Sequence, residues 1–159
     1  MIIFVPKLEI MYRIYLDDIR TPTGDDWIVV RDYDEFVNKV NEIGLENIST
    51  ISLDHDLGDT AMKEYFENVS PNYTLDYNNI EEKTGYDAIK FLVALFHNTN
   101  EERFNMTRSE RKTHKFVFPT VYVHSANPIG ASNIIGYCNN FYMNEGQAQT
   151  CVRVQIPHV

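Results

Sequence analysis

Cysteine is scarce in this chain, and the two that occur, Cys138 and Cys151, lie far apart and match neither a metal-ligand nor a redox spacing. A disulfide framework and a cysteine-based zinc site are excluded, and both residues fall in apolar patterns that read as core. A reducing compartment, the cytoplasm, is the expected setting. Long hydrophobic runs are also missing. Met1-Ile-Ile-Phe-Val is apolar for only about five residues before Pro6 and Lys7, too little for a signal core or a membrane span. Positive charge is in short supply: 14 Lys and Arg against 23 Asp and Glu leave a net charge of −9. That balance disfavours a broad grip on DNA or RNA, yet leaves room for one small phosphate compound at a local site. No internal repeat is present.

What is present suffices for one domain: 159 residues, 43% of them hydrophobic. Residues 1–10 read as an N-terminal extension, with Met11 a second candidate start. Residues 12–16 form a first strand, and residues 17–26, rich in acids with a Thr-Pro step and a Gly, form a loop. Trp27–Arg31 is strand two by β-branched content. Asp32 is placed to cap a helix carrying Phe36, Val37, Val40 and Ile43 at helical spacing, with Glu35 completing a capping box and Gly44 ending it. Strand three is expected at 49–53. Residues 58–83 read as an insert, with a short helix at Ala61–Val69 broken by Ser70-Pro71-Asn72 and again at Asp76-Tyr77-Asn78-Asn79; so long a connection is more often functional or mobile than packed. Thr84 caps a helix striped by Ile89, Leu92, Val93 and Phe96. Residues 98–115 carry the one basic stretch (Arg103, Arg108, Arg111, Lys112, Lys115), read as a solvated loop or surface helix, or as an arm steering phosphate. Strand four is expected at 117–124, a helix capped by Asn127 follows, and Gln149–Ile156 alternates like a last strand. Strands separated by helices imply parallel pairing and an α/β fold.

Three of these strands end in polar clusters. Strand one runs into Asp17 and Asp18. Strand three, Ile51-Ser52-Leu53, turns abruptly polar at Asp54-His55-Asp56. Strand four ends in His124, Ser125 and Asn127. If the strands are parallel neighbours, the three ends meet in one crevice at the carboxyl edge of the sheet, where open α/β sheets bind ligands.

These residues resemble a known family. An acid pair after strand one, an Asp after strand three, Gly85 opening the next helix and a hydroxyl after strand four are laid out as in response-regulator receiver domains. The blocks LDDIRTP (16–22), SLDHDLG (52–58), TGYDAIKFL (84–92) and VHSANPIG (123–130) resemble a divergent branch, the cyclic-phosphate-processing receiver-like family of bacteria and phages. The resemblance implies a single domain over 1–159: a flavodoxin-like three-layer sandwich around a mostly parallel five-stranded sheet of order 2-1-3-4-5. It also implies a cation held by acids and a phosphate-bearing ligand at the strand ends. Three departures stand out. A ten-residue loop replaces the first helix, which puts the placement of strand two in question. No Lys sits near the end of the last strand. His55 and Asp56 follow Asp54 as a pair. They argue against a two-component switch and for a modified pocket.

Asp17, Asp18, Asp54 and Asp56 are the candidate metal ligands, because close carboxylates need a cation or a proton between them and Mg²⁺ or Mn²⁺ takes such oxygens together with water and phosphate. Asp54, His55 and His124 are the candidate catalytic groups, Asp54 as nucleophile and the histidines as proton carriers. Arg20, Ser125 and Asn127 are the candidate phosphate contacts, Arg20 by a bidentate clamp and the other two at a helix N-terminus. The leading expectation is a metal-dependent phosphoesterase acting on a cyclic phosphate or a nucleotide phosphodiester. The alternatives are a module that binds a phosphate-containing nucleotide without turnover, and a degenerate receiver that binds a protein partner through its Tyr-rich insert. His97, His114 and His158 receive no role.

Overall fold

The structure, a computed structural model, describes residues 10–107, 109–110 and 117–159. Most of the N-terminal extension, His114 and the basic residues Arg108, Arg111, Lys112 and Lys115 lie outside the described residues. Five strands form one parallel sheet: β1 (Tyr12–Leu16), β2 (Trp27–Val30), β3 (Ile48–Leu53), β4 (Thr120–Val123) and β5 (Val152–Arg153), in the order β2-β1-β3-β4-β5. The expected strand order is therefore observed, and β2 pairs with β1 in parallel although no helix joins them.

The three long helices are α1 (Tyr33–Ile43), α3 (Gly85–Phe104) and α4 (Pro128–Asn144), with a shorter α2 (Asp59–Glu64) in the insert. Their starts follow the local chemistry. Asp32 accepts from Glu35 N at 2.8 Å, Thr84 Oγ1 accepts from Tyr86 N at 3.2 Å, and Asn127 Oδ1 accepts from Gly130 N at 2.9 Å, each satisfying an orphan donor of a first turn. Phe36 and Val40 of α1, Ile89 and Leu92 of α3, and Ile134 and Cys138 of α4 pack with Ile14, Leu16, Ile51, Leu53, Val121 and Val123 into one buried core. Cys151 is buried there too.

All three right-handed crossovers from β2 onward step in the same direction across the sheet, so their helices share that one face. The step from β1 to β2 goes the other way and carries only the loop 17–26. The opposite face presents Arg13, Tyr15, Trp27, Thr50 and Ser52, with Arg13 lying 3.9 Å over the Trp27 ring. The far layer of a three-layer sandwich thus has no helix between β1 and β2 to supply it. The reversal of direction falls between β1 and β3, the switch point where doubly wound sheets open a crevice.

Three boundaries differ from expectation. β4 begins only at Thr120: Pro119 has no N–H to give a neighbouring strand, and Val117 is exposed. β5 is two residues long rather than eight, because the chain leaves the sheet after Val154 N bonds Val123 O (2.8 Å) and crosses to the loop after β1. There Thr23 N donates to Pro157 O (2.8 Å) and Val159 N to Thr21 O (2.9 Å). In the insert, the helix runs from α2 through a π-helical turn (Tyr65–Val69) and Ser70–Asn72 before Tyr73 ends it at φ 54°, so Ser70-Pro71-Asn72 does not break it. The insert is also packed. Buried Glu64 accepts from Asp76 N (3.0 Å), Asn68 Nδ2 (2.8 Å) and Asn79 Nδ2 (2.9 Å). Phe66 and Tyr73 are left exposed on it. No helix among the described residues is long and apolar enough to cross a membrane.

Candidate functional site

The three strand ends converge. β1, β3 and β4 are adjacent, and the register continues past their ends: Asp54 N donates to Leu16 O (2.9 Å) and His124 N to Leu53 O (3.0 Å). Each strand therefore delivers its first polar residue to the same level of the same edge.

Asp17 is the hub. It is 1% exposed. Its Oδ1 accepts from the backbone N–H groups of Ile19 (2.9 Å) and Arg20 (2.7 Å). Its Oδ2 accepts from Arg20 Nε (2.7 Å) and lies 3.1 Å from His124 Nε2. Burial alone would raise this carboxyl. The bonds from His124 and the two backbone amides, with the charge of Arg20, outweigh it and hold Asp17 well below the usual carboxylate range. An ionised Asp17 only accepts, so His124 Nε2 donates to it, and His124 Nδ1 is left to Ser52 Oγ at 2.7 Å. The His124 ring stacks on Tyr15 at 4.2 Å.

Asp54 differs. Its Oδ1 accepts from His55 N (2.8 Å) and its Oδ2 lies 3.3 Å from Arg20 Nη2. Burial, then the nearby charge of Asp17, push it up to about 6 against the opposing pull of Arg20, His124 and Ser125. Asp18 is half-buried, and burial followed by the charge of Asp17 raises it as well. No partner from another residue ties its carboxylate among the described residues. Asp17, Asp18 and Asp54 each offer an oxygen, all within 4.8 Å of one another. Such an all-carboxylate donor set suits a hard divalent cation such as Mg²⁺ or Mn²⁺ and not a soft one, so the residues fit the expected ion. The Arg20 guanidinium bridges Asp17 and Asp54.

Two further elements hold this loop. Arg31, which the sequence reading passed over, reaches beneath it and donates to Asp17 O (3.1 Å), Arg20 O (2.7 Å) and Thr21 Oγ1 (2.6 Å). At Gly85 a Cβ would stand 1.9 Å from Asp54 O, so only glycine lets α3 approach the end of β3 this closely.

Three of the expected site residues, His55, Asp56 and Asn127, are joined in a second network. His55 is fully buried, with Nδ1 2.7 Å from Asp56 Oδ1 and Nε2 3.0 Å from Tyr77 Oη. Asp56 lies outside the acid group, because its carboxylate is taken by His55 and by Asn127 Nδ2 (3.2 and 3.3 Å). Asn127 is also fully buried, with its Nδ2 on that carboxylate and its Oδ1 capping α4. Tyr77, from the insert, accepts from Asn133 Nδ2 (3.0 Å) and so turns its own proton toward His55. This second network braces the loop after β3 against α4, where a Cβ on Gly130 would meet the His55 ring at 2.3 Å.

Beside the acids opens a crevice of about 940 Å³, walled on one side by Arg20, His124 and Ser125 and on the other by the C-terminal residues 153–158. The acids do not line it, but Arg20 and His124 of the first wall each bond Asp17. Arg153 donates Nε (3.1 Å) and Nη2 (2.8 Å) to Ser125 O. It ends β5, and it and the strap 154–158 are crevice residues that no motif in the sequence marks.

A sequence model described as the cyclic-phosphate processing receiver domain matches residues 12–140, from the start of β1 into α4. No curated protein and no solved structure matches the chain.

Proposed function

The chain belongs to the cyclic-phosphate processing receiver domain family, and from that premise we propose that it is a metal-dependent phosphoesterase acting on a small cyclic phosphate or nucleotide phosphodiester. The observation that carries this reading is the group of three carboxylates within 4.8 Å, set beside a crevice whose near wall holds Arg20 and Ser125. Asp17, Asp18 and Asp54 would hold the ion. A bound divalent cation would offset the carboxylate charge, polarise the phosphoryl oxygens and lower the pKa of water.

The chain's own groups supply the rest. Water is the nucleophile, because both Asp54 oxygens are already engaged. It forms the new P–O bond as the ring P–O bond breaks. Asp18 has no partner from another residue on its carboxylate among the described residues, so its oxygen not given to the ion orients the attacking water; the proton of that water leaves to solvent, and the departing alkoxide takes one from solvent. Arg20 and the Ser125 hydroxyl steady the phosphoryl oxygens. His124 acts through Asp17, fixing that carboxylate rather than touching the ligand.

The test is incubation with a panel of 2′,3′- and 3′,5′-cyclic mononucleotides in Mg²⁺ or Mn²⁺, with and without EDTA. Ring opening that EDTA abolishes supports the reading, and no metal-dependent turnover of any member overturns it. Capture without turnover has one observation in its favour: His55 and His124 are buried with both ring nitrogens engaged. Tight binding by calorimetry with the ligand unchanged by mass spectrometry would decide for it.

A further inference from the structure

The C-terminal residues beyond β5 lie outside the span matched by the family model, 12–140, yet they build half of the crevice. They are a fixed wall. Val154 N is bonded to β4, Pro157 O receives Thr23 N, Val159 N reaches Thr21 O, and Pro22 and His158 form an antiparallel bridge. The strap therefore crosses the carboxyl edge from β5 to the loop that carries Asp17, Asp18 and Arg20.

Its chemistry is divided. Val154, Ile156 and Pro157 offer apolar surface, while Arg153 offers charge. The two crevice arginines differ in what they face. Arg20 is paired with two carboxylates. Arg153 rests on a neutral carbonyl, and no carboxylate pairs with it among the described residues. On a chain of net charge −9, a cation left without an anion in a concave site is a point where a ligand anion is attracted most. The crevice volume, about 940 Å³, is on the scale of pockets for whole organic ligands, about 300–1,000 Å³, and is far larger than one phosphate group needs.

We propose that Arg153 and the strap 154–158 form the ligand-selecting wall of this site. Arg153 takes the phosphate beside Ser125, and Val154, Ile156 and Pro157 seat the non-phosphate part of an organic phosphate of nucleotide size. This rests on the phosphate-processing reading above and adds which part of the chain chooses the ligand.

The experiment is calorimetric titration of the full chain in Mg²⁺ with 2′,3′-cyclic AMP, 3′,5′-cyclic AMP and inorganic phosphate. It compares wild type with Arg153→Ala, Arg153→Lys and Ile156→Trp, with Mg²⁺ binding as the check on folding. Arg153→Ala is expected to weaken nucleotide binding about 10- to 100-fold, the loss of a charge-assisted contact, and Arg153→Lys to recover part of it. Ile156→Trp, which fills the crevice, removes nucleotide binding and leaves inorganic phosphate and Mg²⁺ binding at wild-type strength. Undiminished nucleotide binding by Ile156→Trp or by Arg153→Ala overturns the proposal. So does a wild type that binds inorganic phosphate and neither nucleotide, an outcome that leaves the phosphate site itself standing. A wild type that binds none of the three overturns both.

Discussion

Replacing Arg20 by Ala separates two jobs that the structure loads onto one side chain. The guanidinium stands 2.7 Å from Asp17 Oδ2 and 3.3 Å from Asp54 Oδ2, with the side chain 28% exposed, so it serves as the counter-ion of an acid cluster that is also suited to a divalent cation. An ion that takes the Oδ2 atoms of Asp17 and Asp54 competes with it. At about 4 Å and an effective dielectric near 20, one such pair is worth about 4 kcal/mol of bare Coulomb attraction. After desolvation, about 1.5–3 kcal/mol is the net scale for a charged hydrogen bond. Arg20→Ala removes this competitor, so Mg²⁺ is expected to bind about 10- to 100-fold more tightly, while the metal-free fold loses about 2–3 kcal/mol because the buried Asp17 is left poorly compensated. Saturating Mg²⁺ should return much of that stability. Calorimetric titration with Mg²⁺, and thermal melts with and without it, read both effects. Unchanged or weaker Mg²⁺ affinity in Arg20→Ala would refute the competition and place the ion outside the Asp17, Asp18 and Asp54 group.

The other expectations concern protons and the second network. With a carboxyl at about 6, metal-free folded protein keeps a proton on Asp54 between roughly pH 4 and 6 that the unfolded chain has released. In chelator, this group therefore subtracts stability as pH rises through that window. The ion needs the carboxylate, so Mg²⁺ affinity should fall about tenfold per pH unit below 6, with a proton released on binding at about pH 5.5. Calorimetry in buffers of different ionisation heat detects that release, and pH-independent affinity with no proton released contradicts it. Tyr77→Phe removes the hydroxyl partner of His55 Nε2 and should cost about 1–3 kcal/mol in denaturant unfolding while leaving Mg²⁺ affinity unchanged. A large loss of Mg²⁺ affinity instead would join the two networks that the structure keeps apart.

Much of this architecture was legible in the sequence because it is local. The polar turns after Leu16, Leu53 and Val123, the capping residues Asp32, Thr84 and Asn127, and the core stripes of the long helices all declare themselves within a few residues. Asp17, Asp18 and Asp54 come together as the parallel order requires. Asp56 was not legible, because side-chain alternation holds only while the chain stays extended. Past Asp54 it turns instead, with Asp54 Oδ1 on His55 N and Gly85 N on His55 O (3.0 Å), which sends Asp56 to His55. The strap was hidden for a different reason. Gln149–Ile156 alternates like a strand, but the partners that draw its end away, Thr21 and Thr23, are more than a hundred residues distant along the chain. Arg31 and Arg153 gain their meaning from the same kind of long-range placement, and no spacing in the sequence marks them. Asn127 was legible as a cap through its Oδ1, whereas the contact of its Nδ2 with Asp56 depends on the long-range approach of α4 to the loop after β3.

The most direct test is a crystal structure of the protein grown with Mn²⁺ and a cyclic mononucleotide, with the ion located by anomalous scattering. One peak is expected about 2.1 Å from oxygens of Asp17, Asp18 and Asp54, with Arg20 displaced from Asp54 and the phosphate lying between Arg20 and Ser125. A peak elsewhere, or saturating Mn²⁺ with no peak and Arg20 still bridging the two carboxylates, would contradict that placement.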